Sequence, residues 1–350
     1  MGNNTTEVYT LDELNSEIRR KLLAPLIYLL LLAVIGIPGN FFVIIIFRTY
    51  KRNVYRTLIL NMAIIDFSFC LIGIPFNIIR ILYYYTFKVT RVCQIFAGML
   101  DFGIMSSTHL LMLMAVHRYR QIFMPLKSQI NTENVKYFIA TSLIIGVALA
   151  TPQIAVLQPL EKVQFQNNIT GSICAVTWKD SPYYWKVYNF FLSGLFVTYA
   201  FVLFFIYGRI GRKIIVRRIW RSKQRASSCN GKPSDVSNRM TKIAFAVSAV
   251  FILSYLPLYI NEELAKIVNA SELSPVQFAV FKIIERSYIM NHVANPFVYA
   301  CFDVRFRSKL WEILKSCRQN GIRKENENSK LSLDNVYTVR TSSTRTTNFS

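Results

Sequence analysis

Seven stretches of this chain stay apolar for longer than a buried helix of a soluble domain requires, and no other feature limits its fold so narrowly. They run from Leu23 to Phe47, then at about Thr57–Leu82, Cys93–Val116, Tyr137–Leu157, Tyr183–Tyr207, Ile243–Ile260 and Val276–Cys301. At about 1.5 Å of rise per residue, about 20 helical residues cross a ~30 Å hydrocarbon core. With 53% hydrophobic residues gathered in blocks rather than alternating, the chain reads as an all-α membrane protein with seven spans.

Charge sets the expected topology. A formal net charge of +22 could suggest nucleic acid, but the basic residues collect at the ends of the apolar runs, as topology determinants do. With the amino terminus outside, the inward segments 48–56, 118–136, 209–242 and 305–345 hold four, four, eleven and ten Lys and Arg, 29 of the 41. Arg19, Arg20 and Lys21 pull mildly the other way. The sequons at Asn3, Asn4, Asn168 and Asn269 fall outside in this arrangement and are expected glycosylation sites. An odd number of spans leaves the carboxyl terminus in the cytoplasm. No inverted internal repeat suggests a transporter, and no nucleophile, base and stabiliser converge to suggest an enzyme.

The domain reading follows: an extracellular, glycosylated segment 1–22, a bundle 23–301, an amphipathic helix 302–317 and a disordered cytoplasmic tail 318–350 that is polar and rich in Ser and Thr. The loop 209–242 is basic, with a flexible Ser-, Gly- and Pro-rich middle from Ser227 to Ser237. Around Cys174, strands at 163–166 and 169–176 flank a turn at Asn167-Asn168 and predict a hairpin. Phe302, Phe306 and Leu310 predict one apolar face, with Arg305, Arg307 and Lys309 beside it.

Polar residues inside the spans carry the functional signal. Asn291, Asn295 and Tyr299 recur at steps of four and form one inward stripe, while Pro296 frees a carbonyl that neighbouring helices or water must satisfy. Asp66 in the second span costs about 2.5–3.5 kcal/mol to insert unless it is neutralised or solvated within the bundle. Ser107 shares a face with Arg118, eleven residues or about three turns further on.

Asn295-Pro296-Phe297-Val298-Tyr299, followed by a short basic amphipathic segment, resembles the seventh helix of the rhodopsin-like (class A) G-protein-coupled receptors. His117-Arg118-Tyr119 resembles that family's Asp-Arg-Tyr motif with histidine for the acid, and Phe251 to Pro257 resembles Phe-x-x-Cys-Trp-x-Pro with Tyr255 for the tryptophan. The resemblance spans about residues 30 to 315, and the hairpin is most like that of the peptide-receptor group. It implies a seven-helix receptor that binds an extracellular ligand, a neuropeptide or other peptide, and activates heterotrimeric G proteins, with arrestin binding the tail after phosphorylation at Thr338 to Thr347. It implies a Cys93–Cys174 disulfide, a palmitoylation site at Cys317, and an internal sodium and water site of Asp66, Ser107, Asn291 and Asn295, with no other cofactor. A purely water-filled network is the alternative. His117, Arg118, Tyr119, Tyr207 and Tyr299 would form the G-protein switch. Since neither His117 nor Ser237 offers Arg118 an acid, the arginine is either less restrained than usual or held by tyrosine or backbone groups.

For the ligand, Asp101, Glu262 and Glu285, with Tyr255 and Tyr259, could receive a cationic group, unless Arg80 or Arg286 pairs with the acids. Amine receptors of the family carry an aspartate where this chain has Leu100, and opsins carry a lysine where it has Ile289. An amine or lipid receptor of the same fold, or a non-signalling scavenger receptor, are the remaining alternatives.

Overall fold

The computed structural model describes residues 10–155, 160–165, 168–174, 182–225, 235–265, 273–316 and 318–319. Two compact units divide at Phe302 and Asp303. In the first, α2 (Leu23–Arg48), α3 (Val54–Ser68) continued by α4 (Ile74–Leu82), α5 (Thr90–Phe123), α6 (Val135–Ala155), α7 (Tyr183–Arg225) and α8 (Asp235–Ala265) supply six helices long and apolar enough to cross a membrane. Their outward faces are apolar: Val197, Phe201 and Phe204 are 63%, 70% and 75% exposed. In water that would be untenable; against lipid it costs nothing.

The seventh span is not one helix, as the sequence predicts, but two: α9 (Pro275–Ile284) and α10 (Ile289–Phe302). Between them the backbone N–H groups of Arg286, Ser287, Ile289, Met290 and Asn291 reach three residues back instead of four. That tightening is what a helix does when its last carbonyls are claimed from elsewhere, and Nη1 of Arg286 donates to the Lys282 carbonyl at 2.8 Å. Between α3 and α4 the opposite happens, with a wider π turn over Phe69–Gly73.

Two further expectations shift. The loop at 209–242 is largely helical, because α7 runs on to Arg225 and α8 begins at Asp235; after Gly211 the sequence to Arg225 holds no Gly or Pro to stop it. The remainder of that loop lies outside the described residues. The hairpin exists as β1 (Glu161–Gln164) and β2 (Thr170–Ile173), antiparallel with Glu161 opposite Ile173, so the first strand sits two residues earlier than predicted. Exposed Asn168 turns with φ 59°, a conformation Asn tolerates.

Segment 1–22, read only as polar, contains α1 (Leu11–Lys21). Thr10 and Glu13 form a reciprocal capping box, the Glu13 carboxylate accepting the Thr10 N–H at 2.7 Å. Buried Asn15 then clamps the turn after α4, donating to the Leu82 carbonyl at 2.9 Å and accepting the Tyr85 N–H at 3.0 Å.

In the second unit, residues 304–316 form helix α11, capped by Asp303, whose carboxylate accepts the N–H groups of Arg305 and Phe306. Phe306 is buried and Leu310 half-buried, with Arg305, Arg307 and Lys309 exposed. Phe302, predicted on the same helix, instead ends α10 of the first unit and is 40% exposed. Residues 318 and 319 are still helical. Cys317, Thr338 to Thr347, Asn3, Asn4 and Asn269 lie outside the described residues.

Candidate functional site

Proline at 296 has no N–H, so the carbonyl four residues earlier, that of His292, loses its helical donor. Asn40 of α2 replaces it: its side-chain N–H donates to the His292 carbonyl at 2.8 Å, and the buried Cys70 thiol stands at 3.9 Å. The two helices can approach this closely because α2 carries glycine there. A methyl group at Gly39 would lie 3.0 Å from the Pro296 ring, and one at Gly36 would lie 2.7 Å from Cys70 Sγ and 2.8 Å from Val293.

One turn deeper, Asp66 is fully buried and receives hydrogen bonds from two other helices. The Ser107 hydroxyl of α5 donates to Oδ1 at 3.4 Å, His292 Nδ1 of α10 meets the same oxygen at 2.7 Å, and Asn295 Nδ2 donates to Oδ2 at 2.7 Å. Asp66, Ser107 and Asn295 therefore meet as expected. Asn291 is also buried, yet the group against the carboxylate is its neighbour His292, whose ring stacks on Phe69 at 3.9 Å. His292 lies three residues before Asn295 and so shares its face as Asn291 does; the step-of-four stripe passed over it. The carbonyl oxygen of the Asn295 amide is buried without a partner, as a cation ligand could be. The groups touching Asp66, however, are two ring or amide nitrogens and a hydroxyl, and the imidazole occupies Oδ1. A sodium ion prefers oxygen donors, so this arrangement does not suit one.

Towards the hairpin end of the bundle, Ile104, Met105, Thr108, Phe196, Tyr199, Phe251, Tyr255 and Tyr259 line a narrow, mostly aromatic cleft. Phe196 stacks on Tyr259 at 4.3 Å, and the Tyr199 hydroxyl meets His109 Nε2 at 2.7 Å. Tyr255 and Tyr259 thus line a pocket as predicted. The two predicted acids whose side chains are described, Asp101 and Glu285, do not line it. Glu285 is bound to Lys282 at 2.7 Å and to Arg286 at 3.6 Å; Asp101 is half-buried within the field felt by Tyr188; and the Glu262 side chain is outside the described residues. Arg80 donates through Nε to the Cys174 carbonyl at 3.0 Å. Cys174 is bonded to Cys93 with the Cα atoms 5.7 Å apart, which ties the hairpin to the start of α5.

At the opposite end, Arg118 is 4% exposed, and among the described residues it makes no salt bridge to an acid. Its guanidinium lies over the Tyr55 ring at 4.9 Å and donates to Gln121 Oε1 at 2.7 Å. Nε and Nη2 are buried without hydrogen bonds. Tyr55 is thus in the place that a tyrosine holding Arg118 would take. Buried Tyr207 stands within the field of Arg118, Tyr299 packs on Phe47 at 5.4 Å, and Tyr119 stacks on Phe123 at 4.6 Å instead of turning inward. His117 is buried, with Nδ1 unpartnered.

Residues 39–299 match the profile of the 7 transmembrane receptor (rhodopsin family), three-quarters of the chain. The chain belongs to this family. Its members are receptors rather than enzymes, and the seven spans make this receptor a multi-pass membrane protein. It is 25% identical to human somatostatin receptor type 3 over 83% of this chain and 68% of that one. It is 27% identical to putative neuropeptide Y receptor 11 of Caenorhabditis elegans, covering 79% and 71%. It is also 24% identical to the human visual pigment-like receptor peropsin, covering 82% and 83%. In this receptor the helix-seven position of the opsin lysine is Ile289, fully buried, which leaves no amine for a retinal imine.

Sequence reasoning missed several working residues. Gln121, three after Arg118, and Lys282, three before Glu285, were both legible as helical neighbours. His109 gave no signal beyond being polar in an apolar run.

Proposed function

We propose that this receptor sits in the plasma membrane with its hairpin end and amino terminus outside, binds an extracellular peptide, and activates a heterotrimeric G protein. The observation that carries the reading is Asp66, one buried carboxylate bonded from α5 and from two positions on α10. It lies between an aromatic cleft on one side and, on the other, a buried arginine that makes no salt bridge to an acid among the described residues. Such a hub cannot be left half-satisfied at low cost, so movement of α10 against α3 and α5 must be concerted. Ligand contacts at the cleft then bias an equilibrium that ends at Arg118, in proportion to the ligand's preference for the active state. Arg118 meets the G protein once freed from Tyr55, with Tyr207 and Tyr299 supporting the open arrangement.

The peptide reading draws on the relatives' names and on the hairpin, and the outward orientation on the positive-inside count. Arrestin binding to a phosphorylated tail and lipidation at Cys317 belong to the same reading. The test is to express the receptor with labelled heterotrimers and screen peptides for subunit dissociation. Peptide-driven dissociation, lost on Arg118→Ala at equal surface expression, is the expected result. Activation by amines or lipids alone would replace the ligand class, and peptide uptake without dissociation would make the protein a scavenger.

A further inference from the structure

The ends of α4 and α9 carry more positive charge than their one acid can match. Lys282, Glu285 and Arg286 come together because α9 stops at Ile284 and the chain turns tightly over the next residues. Lys282 Nζ lies 2.7 Å from Glu285 Oε2, and Arg286 Nη1 lies 3.6 Å from Oε1. Arg80 of α4 is the third cation; its electrostatic neighbours are Arg286, Glu285, Tyr288 and Tyr84. The side chains of Lys282 and Arg286 are only 18% and 4% exposed. Nε of Arg286 is buried with no hydrogen-bond partner, and Arg80 spends its Nε on the Cys174 carbonyl.

Among the described residues, three cations against one carboxylate leave a formal surplus of two positive charges in a largely dehydrated place. Buried charge is retained where it is paired, and two acids of α1, the helix packed on α9, are committed elsewhere: Glu17 pairs with Lys21 at 2.7 Å, and Glu13 caps its own helix. The basic last turn of α1, Arg19 to Lys21, belongs to a helix packed on α9 and adds positive field at this end. A planar guanidinium with an unused donor, sharing one acid with a lysine and within the field of a second guanidinium, suits a carboxylate.

We propose that this cluster of Arg80, Lys282 and Arg286 is an anion subsite that takes a carboxylate of the ligand. Within the peptide reading on which this rests, the carboxylate is a free carboxyl terminus or an acidic side chain. It reverses the charge that Asp101, Glu262 and Glu285 suggest in the sequence: Glu285 holds the cations in place rather than receiving one. Amidated basic peptides are then the wrong probes.

The experiment uses the full chain in cells and purified in detergent. Tetrapeptides with a free carboxyl terminus, their amidated twins, and glutarate as a small dicarboxylate are compared by G-protein dissociation and by thermal stabilisation. The expected result is activity among free acids, at least tenfold loss of potency on amidation, and a similar loss in Arg80→Gln that Arg80→Lys partly restores. Stabilisation by glutarate, lost in Arg80→Gln, with no active peptide would uphold the anion subsite and defeat the peptide reading. Peptides equally potent as acid and amide, and insensitive to Arg80→Gln, would overturn the subsite while leaving the peptide reading intact. No response to any acid in either assay would overturn the subsite.

Discussion

If Asn40 exists to satisfy the carbonyl that Pro296 frees, then its value depends on the proline. In Asn40→Ala the His292 carbonyl keeps only the Cys70 thiol at 3.9 Å, too long to replace the 2.8 Å amide bond. A buried acceptor stripped of its partner costs roughly 1–3 kcal/mol in soluble proteins. Interhelical polar contacts in membranes average about 0.6 and reach about 1.7 kcal/mol, because the unfolded reference also finds partners. Asn40 is fully buried and its contact is short, so the upper part of the membrane range applies, about 1–1.5 kcal/mol. Thermal unfolding in micelles, read by a thiol-reactive dye on buried Cys70 with Cys229, Cys301 and Cys317 replaced by serine, should show a midpoint lowered by about 2–6 °C. Pro296→Ala returns an N–H to the chain, and the His292 carbonyl regains a helical donor. In that background Asn40→Ala should cost less than about 0.5 kcal/mol, a coupling of about 1 kcal/mol across the cycle. Equal costs in the two backgrounds would show that Asn40 stabilises the bundle by some other route.

Removing the ring beneath Arg118 with Tyr55→Leu should raise basal G-protein dissociation, since a cation–π contact of about 0.5–2 kcal/mol shifts a two-state equilibrium by roughly 2- to 30-fold; unchanged basal signal at matched surface expression would argue against restraint by Tyr55. Because His292 occupies Asp66 Oδ1, agonist affinity should not change when sodium chloride is exchanged for N-methylglucamine chloride, and His292→Ser should introduce a sodium dependence. A sodium effect in the unaltered receptor would contradict this. At the amino terminus, the Thr10 N–H holds the Glu13 carboxyl below the usual glutamate range. A depressed acid stabilises the fold above its unfolded value and ceases to as pH falls through its folded value. Amide exchange in the first turn of α1 should therefore stay slow down to the ordinary glutamate range and quicken below it, a change that Glu13→Gln should abolish.

Much of this receptor was readable from single residues because a membrane makes polar groups expensive. Asp66, Ser107, Asn295 and Pro296 had to be reconciled inside the bundle, and the structure reconciles them. Cys93 and Cys174 are joined as the family resemblance implies. What remained hidden were choices between neighbours of similar phase. His292 rather than Asn291 meets Asp66, three residues before Asn295 and on its face, a relation that a step-of-four count does not register. Likewise the tight turn at 285–288 depends on Arg286 reaching back to Lys282, which a continuous apolar run does not disclose. The amino-terminal helix was legible in its Thr10 and Glu13 capping box but was overlooked beside the sequons. Which cation holds Glu285 was open in the sequence, because Lys282 is a helical neighbour three residues away and Arg80 and Arg286 are rivals; the structure pairs it with Lys282 and Arg286.

The central claim is that the Asp66 hub couples the cleft to Arg118. Its most direct test is Asp66→Asn, with agonist binding and labelled heterotrimer dissociation measured on the same cells, using a peptide found in the screen. The account predicts binding within a few-fold of the unaltered receptor and a collapse of the maximal response. A full response from Asp66→Asn would contradict it.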